Sequence, residues 1–295
     1  MDLSVAIVNW NTRHLLDRCL KSVFETTDGI ELEVIVVDNA STDGSAAMVR
    51  EKWPRVKLIE NKENLGFARA NNQAYEISSG RHFMMLNPDT VALSNPAAVV
   101  HYLDANGLVG VVGCKCLNPD GSIQQNWCDY YPGAALDFLP EKLRNPIVRA
   151  VYRRDPDSTF ETKWVGGQCM TVKRKCIDEV GVMDPGYFMY TEETDWCFRI
   201  RAKGWKVCHC PDMTITHLGG QSTRQDDLRM LEELYRSKTR FIRRNMSSFR
   251  STLYKAALWI RTLLLVAAFT IRPYRRDSAA RRRRAIHLLR SIRRF

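Results

Sequence analysis

The chain has 295 residues, a formal net charge of +11 and nine cysteines, a length that suits one large α/β domain plus an appendage. The cysteines are odd in number, lie in apolar stretches and form no CxxC pair, which sets aside a disulfide framework and leaves two C-x-C pairs as weak soft-metal candidates. They read as reduced core thiols of a cytoplasmic protein, and the amino terminus, with Asp2 and only a short apolar run, shows no signal peptide.

LSVAIVNWN reads as a buried strand with its chemistry at the carboxyl end, at Asn9 and Asn11. A helical stretch follows through Leu15, Leu16, Cys19, Leu20 and Phe24, and LEVIVVDNASTDGS repeats the order of apolar run, acid and turn. Two such βα units predict a parallel, doubly wound sheet. Ligands of these sheets bind outside the carboxyl ends of the strands, so Asn9, Asn11 and Asp38 belong to one crevice. There the Asp38 carboxylate suits a donor group of a nucleobase or ribose. A third unit, VKLIENKENLGFARANNQAYEISSG, has Asn64 and Gly66 at its turn and Arg69 and Asn71 on the first turns of its helix. Glycine permits close backbone approach, and a helix amino terminus beside an arginine attracts phosphate. Neither GxGxxG after the first strand nor a GxxxxGK P-loop run occurs, so dinucleotide and P-loop readings lose their main support.

RHFMMLNPDT predicts a fourth buried strand ending at Asn87-Pro88-Asp89. An acid there holds a hard divalent cation by one oxygen while nucleotide phosphates supply others; read alone, NPD is also a turn capping the next helix. Trp164-Val165-Gly166-Gly167 offers an indole face and backbone open to a sugar, or else a core tryptophan beside a bulge. In GYFMYTEETDWCFRIRAKGW the acids Glu192, Glu193 and Asp195 are crowded among Tyr187, Phe188, Tyr190, Trp196 and Phe198. An apolar wall raises a carboxylate pKa and makes a base useful near neutrality. The alternative is a solvated first turn of a helix, where acids are favoured. His217 follows the strand-like PDMTITH and precedes Gly219-Gly220, which leaves its ring free to reach a crevice.

With VAIVNWN, VVDNASTDGS, NLGFARANN, MMLNPDT, GCKCLNPDGSIQ, WVGGQCMTVKRK, VGVMDPGYFMYTEETDWCFRIRAKGW and THLGG in this order, the chain resembles the family 2 inverting glycosyltransferases of the GT-A fold, and most of all their bacterial rhamnosyltransferase-like branch, over roughly residues 3 to 222. The resemblance implies a Rossmann-like α/β architecture, with a mixed, mainly parallel sheet flanked by helices. Residues 1–112 would form the nucleotide-sugar-binding half, 113–225 the acceptor-binding and catalytic half of the same domain, and 226–295 a basic amphipathic helical tail. It implies Asp38 as reader of the nucleobase, with Asn9, Asn11, Asn64, Gly66, Arg69, Asn71, Asn87 and Gly167 completing the donor site. Asp89 and His217 would bind the divalent cation, Mg2+ or Mn2+. Asn87 stands where the family's metal motif has its first acid, which leaves cation binding more dependent on other groups. The family's catalytic base is the Asp of a Glu-Asp-x-Asp run, a position held here by Glu193, with Asp195 as the other candidate.

An inverting transfer needs one base for the acceptor hydroxyl and an electrophile for the departing diphosphate. A glycoside hydrolase instead places carboxyls on both sides of the scissile bond. The implied reaction moves rhamnose from dTDP-rhamnose to a lipid-linked glycan or polysaccharide precursor, with UDP-linked galactose or N-acetylglucosamine as the alternative donor. The departures at Asn87 and Glu193 are what a non-catalytic nucleotide-sugar-binding or membrane-scaffold protein would rest on.

The positive charge belongs to the tail. From Arg236 onward 18 Lys and Arg face one acid, Asp277, whereas the first 235 residues hold 26 bases and 32 acids. The uninterrupted apolar core of the tail, Thr262 to Ile271, is too short to span a bilayer. Residues 249–295 therefore read as an interfacial helix with arginines on anionic headgroups, which makes the protein peripheral at the cytoplasmic face of the inner (plasma) membrane. No nucleic acid is expected, because interleaved aromatics and reader motifs are lacking. A helix pair covering a partner subunit, giving a homo-oligomer, is the remaining reading.

Overall fold

The computed structural model describes residues 1–133, 139, 141–151, 153–220, 226–271 and 278–295. Its strands are β1 (Leu3–Asn9), β2 (Leu32–Asp38), β3 (Lys57–Glu60), β4 (His82–Leu86), β5 (Thr90–Ala92), β6 (Val109–Leu117), β7 (Trp127–Cys128), β8 (Phe160–Thr162), β9 (Trp164–Val165), β10 (Cys169–Lys173) and β11 (Lys206–His217). The helices are α1 (Arg13–Thr26), α2 (Ser45–Lys52), α3 (Phe67–Glu76), α4 (Ala97–Ala105), α5 (Glu141–Val151), α6 (Arg174–Val180), α7 (Glu192–Ala202), α8 (Asp227–Asn245), α9 (Ser248–Ile271) and α10 (Ser278–Ser291). The chain forms two compact units. One comprises Met1–Asp129, Arg154–Phe188 and Glu192–Ser222, and the other Tyr130–Arg153, Met189–Thr191 and Thr223–Phe295.

The first unit is built on a mixed sheet with strand order β3-β2-β1-β4-β10-β6-β11-β5, and β8 beside β11. β1, β2, β3 and β4 run parallel, β6 runs parallel to β11, and β10 is inserted antiparallel between β4 and β6. This is the GT-A architecture expected from the sequence. The central strands are apolar on both faces, as helices on either side demand: Val5, Ala6, Ile7 and Val34 to Val37 are all buried. The expected first helix, α1, buries Leu16, Cys19, Leu20 and Val23, a spacing that places them along one stripe against the sheet. All nine cysteines are free and buried, in line with core thiols.

Pairing register carries the polar strand ends to one edge. Asn9 lies opposite Asp38 where β1 meets β2, and Thr90 lies opposite His217 where β5 meets β11. The long β11 absorbs a register shift between Cys210 and Thr214 before delivering His217.

The second unit contains α8, α9 and α10. α9 is a single helix of 24 residues, and by length and composition it is long and apolar enough to cross a membrane, with a mean hydropathy of 1.5 over its most apolar window. The run Thr262–Ile271, read from the sequence as too short to span, is the last part of this longer helix. Lys255 and Arg261 lie within the helix, Lys255 donating to the Phe295 carbonyl and Arg261 Nη1 to the Tyr235 hydroxyl at 2.9 Å. Tyr254, Leu258 and Thr262 form the buried face of α9, whereas Phe249, Leu253, Ile260, Leu264 and Ile271 are exposed. Residues 272–277 of the basic tail lie outside the described residues.

One tight approach closes the first unit. Gly66 has φ +83°, and a Cβ there would lie 2.3 Å from the Phe188 carbonyl oxygen, which accepts the Phe67 N–H at 2.7 Å. Neither the backbone conformation nor the space admits a side chain. Gly66→Ala is expected to cost about 2 kcal/mol or more and to lower the melting temperature by about 5 °C or more; calorimetry showing an unchanged melting temperature would refute the constraint.

Candidate functional site

The carboxyl ends of β1 and β2 form one hydrogen-bonded cluster. Buried Asp38 accepts the Asn9 side-chain amide at 3.0 Å through Oδ2 and the Ser41 N–H at 2.8 Å through Oδ1. Asn9 Oδ1 accepts the Thr12 hydroxyl at 2.6 Å, and Asn11 Oδ1 accepts the Thr42 N–H at 2.7 Å. Asn11 and Ala40 take φ of 52° and 63°, a left-handed geometry held by these bonds. Asn9, Asn11 and Asp38 are thus neighbours. Two Asp38 oxygens with about four lone-pair sites leave acceptor capacity beyond the bonds that shape the loop.

The third-unit residues behave differently from one another. Asn64 Oδ1 accepts the Gly66 N–H at 3.0 Å and so builds the turn. Asn39 reaches the same turn, its amide donating to the Gly66 carbonyl at 3.3 Å. Arg69 is directed through Nε to the Pro185 carbonyl at 3.0 Å, and Asn71 is buried with its amide donating to its own helix at Phe67 O, 3.0 Å away. Arg69 and Asn71 are therefore not gathered with Asn9, Asn11 and Asp38 by any described hydrogen bond.

Asp89 and His217 meet at the β5–β11 pairing. Asp89 Oδ1 lies 3.2 Å from His217 Nε2, and both side chains are largely buried. The Asn87 side-chain amide is 3.4 Å from the same ring nitrogen. Two cis ligands at about 2.1 Å from one cation are roughly 3 Å apart, so this pair fits a hard divalent ion. Among the described residues no group of three or more His, Cys, Asp and Glu side chains could hold a metal. Asp89 and His217 fit an ion whose remaining positions are filled by phosphate oxygens and water, the usual manner of nucleotide-bound magnesium. Asp89 also gives its carbonyl to the Leu218 N–H at 3.0 Å, which ties the two segments together.

A second group of acids opens α7. Residues Tyr190 and Thr191 have φ of 69° and 70°, and the helix opens with Glu192, Glu193 and Asp195 in its first turn. Desolvation pushes the Glu193 carboxyl up to about 7, with the helix-start N–H groups of Glu193 and Thr194 pulling the other way. Asp195 is buried against a counterion: Arg199 Nε lies 3.0 Å from Oδ2, and the Tyr187 hydroxyl donates to Oδ1 at 3.3 Å. The two acids, two residues apart, thus have different surroundings. Gly167 adjoins Glu193. A Cβ built on it would meet the Phe67 ring at 3.2 Å and Glu193 Cβ at 3.9 Å, while the next residue, Gln168, gives its carbonyl to the Asn87 N–H at 3.0 Å. Glu193 and the Asn87-to-Asp89 turn therefore flank one backbone segment.

The sequence reading overlooked Gln124, whose Oε1 is 2.6 Å from His217 Nδ1, and Arg199, four residues past Asp195. The i,i+4 spacing of Asp195 and Arg199 was a usable signal; nothing local marks Gln124, which is 93 residues from His217 in sequence.

The model of the family described as "Glycosyl transferase family 2" matches residues 4–160. An N-acetylglucosaminyl-diphospho-decaprenol L-rhamnosyltransferase of Mycobacterium tuberculosis is 26% identical over 306 aligned residues, covering 93% of this chain and 96% of that protein. Among solved structures, a mannosyltransferase from Pyrobaculum calidifontis in complex with GDP-Man and Mn2+ has a TM-score of 0.57 at 16% identity, over 98% of this chain and 85% of that one. GalNAc-T7 with UDP, GalNAc and Mn2+ has a TM-score of 0.61 at 18% identity, over 82% of this chain and 48% of that one.

The contrast between the two acids is measurable. Folded Glu193 keeps its proton up to about pH 7, whereas its ordinary value is 4.5, so native stability falls as pH rises through that window. Glu193→Gln is expected to be more stable than the parent near pH 8 and to lose that advantage near pH 4. Asp195→Asn removes the charge that pairs Arg199 and is expected to cost about 2 kcal/mol near pH 8, where Glu193→Gln is expected to stabilise. Chemical denaturation of both variants checks this, and equal behaviour of the two would contradict the assignment.

Proposed function

This chain belongs to glycosyl transferase family 2 and is a glycosyltransferase; we propose that it moves a sugar, with inversion, from a nucleoside-diphosphate donor to a lipid-linked glycan precursor. The observation that carries the reading is the contact of Asp89 with His217, next to an Asn87 whose N–H bonds to Gln168, together with Glu193 beside the preceding Gly167. Rhamnose from dTDP-rhamnose is the proposed donor and a diphosphate-linked lipid the acceptor, supported by the printed activity of the mycobacterial relative, which this chain covers nearly end to end.

In the proposed mechanism Asp38 and Asn9 receive the nucleoside at the ends of β1 and β2. Asp89 and His217 hold Mg2+ or Mn2+, a proposal supported by the Mn2+ in two solved relatives of the same fold. Such a cation supplies charge stabilisation for the departing diphosphate, more in the transition state than in the ground state. Glu193 takes the proton from the acceptor hydroxyl. Its raised pKa is suited to that task, since a base poised near the working pH combines deprotonation with real proton affinity. Gly167 leaves room for the sugar at the point where a side chain would press on Phe67 and Glu193. Asp195 is proposed as the residue that anchors α7 through Arg199, so that Glu193 is presented in one orientation.

The tail is proposed to hold the enzyme at the cytoplasmic face of the membrane as a peripheral protein. Support comes from the exposed apolar side chains of α9 and the arginines 281 to 284 of α10, together with the lipid-linked substrate of the relative. Arg261 bonded to Tyr235 favours a helix lying at the interface over one that spans.

Glu193→Gln is expected to abolish transfer while Mn2+-dependent binding of the nucleoside diphosphate persists. For the parent, kcat/KM should fall tenfold per pH unit below about 7, because protonated Glu193 is no base. Turnover retained by Glu193→Gln would end the assignment. Replacing exposed Phe249, Leu253, Ile260 and Leu264 together with serine is expected to abolish flotation with anionic vesicles and leave nucleotide binding intact; continued flotation would refute the interfacial role of α9.

A further inference from the structure

The segment GCKCLNPDGSIQ forms the end of β6 and the reversal that follows it. After β6 the chain reverses through Asn118-Pro119-Asp120-Gly121, with Gly121 at φ +81°. The Gly121 N–H donates to the Asn118 carbonyl at 2.9 Å. Leu117 bridges Ile123, and the Gln124 N–H donates to the Cys116 carbonyl at 2.8 Å. The return brings the Gln124 side chain back against the end of β11.

The orientation of that side chain is determined by its partners. Gln124 Nε2 donates to the His217 carbonyl at 3.3 Å and to Asn118 Oδ1 at 2.9 Å. A backbone carbonyl only accepts, so the reversed amide would set oxygen against oxygen. Oε1 is therefore the atom 2.6 Å from His217 Nδ1, and it also accepts the Cys116 thiol at 3.2 Å. An amide oxygen has no hydrogen to give, so Nδ1 must carry one. In the neutral ring the lone pair then belongs to Nε2, the nitrogen that faces Asp89 and Asn87. The Asn87 amide, a donor at 3.4 Å, is compatible with a lone pair at that point.

We propose that Gln124 is a positioning residue that holds His217 as its Nδ1–H tautomer and so prepares Nε2 to bind the divalent cation. The proposal rests on the reading of Asp89 and His217 as cation ligands. It follows the general behaviour of metal-binding imidazoles, whose second nitrogen donates to an orienting acceptor worth about 10–100-fold in metal affinity. Here the acceptor is neutral, so it orients the ring without adding a charge to a site in which Asn87 already stands where an acid would.

The test is Mn2+ titration of the full chain, followed by electron paramagnetic resonance in the presence of UDP or dTDP, together with nitrogen NMR of the His217 ring in the parent with diamagnetic Mg2+. Gln124→Leu keeps the bulk and removes the acceptor; it is expected to weaken Mn2+ binding about 10–100-fold. Gln124→Glu keeps an acceptor oxygen for Nδ1 but sets its second oxygen against the His217 carbonyl and Asn118 Oδ1, so it should bind Mn2+ more tightly than Gln124→Leu and more weakly than the parent. In the parent the ring should carry its proton on Nδ1. Equal Mn2+ affinity for Gln124→Leu and the parent, or a neutral parent ring protonated on Nε2, overturns the proposal. Should Gln124→Leu not fold, the NMR of the parent and the affinity of Gln124→Glu decide. His217→Ala separates the two levels. If it binds Mn2+ like the parent, the cation-ligand reading itself fails. If it weakens binding while Gln124→Leu does not, only the role of Gln124 fails.

Discussion

The antiparallel pairing of β5 with β11 is the constraint from which the site's geometry follows. β5 is three residues long, and it adjoins the Asn87-Pro88-Asp89 turn at the end of β4. By setting Thr90 opposite His217, it converts a separation of more than 120 residues into a contact of 3.2 Å between Asp89 and His217. A slip of one residue would turn every β11 side chain to the other face of the sheet. Buried Ile215 and Met213 oppose such a slip, since the core would have to accept polar groups in their place.

Around that pairing the molecule spends backbone geometry rather than side-chain charge. Gly66 and Gly167 are positions where a methyl group would collide with Phe188 or press on Phe67. Asn11, Ala40, Tyr190 and Thr191 hold left-handed conformations at the strand and helix ends that bear Asp38 and Glu193. Strain of this kind persists only where neighbouring structure over-determines it, and at Asn11 and Ala40 it does so through the Asp38–Ser41 and Asn11–Thr42 bonds. The loops proposed to face the donor are thereby held in one conformation, which lowers the entropy that binding must supply.

The acid run shows how environment divides labour between like groups. Glu193 and Asp195 are two residues apart on one helix, yet Asp195 sits on Arg199 and Tyr187 while desolvation dominates at Glu193. A buried carboxylate with a guanidinium partner ties its helix in place; one for which desolvation dominates holds its proton toward neutrality and is suited to exchange it. The same helix therefore supplies both an anchor and a proposed base.

What the sequence determined by itself was the order of elements and the identity of the family. Period and composition mark β1, α1, β2 and β4 because buried strands and amphipathic helices must repeat apolar residues at fixed spacings, and the ordered motifs VVDNASTDGS, MMLNPDT and TEETDW hold the polar strand and helix ends. The sequence also gathered Asn9, Asn11 and Asp38 into one crevice, since parallel strands present their carboxyl ends together. Only the tertiary structure decided which of those residues touch. It directed Arg69 to the Pro185 carbonyl and Asn71 into its own helix, gave Asp195 to Arg199, ran α9 unbroken past Lys255 and Arg261, and brought Gln124 to His217. Each of these outcomes depends on register and long-range contact, and a one-dimensional pattern records spacing along the chain, not the partner a side chain finds across the sheet.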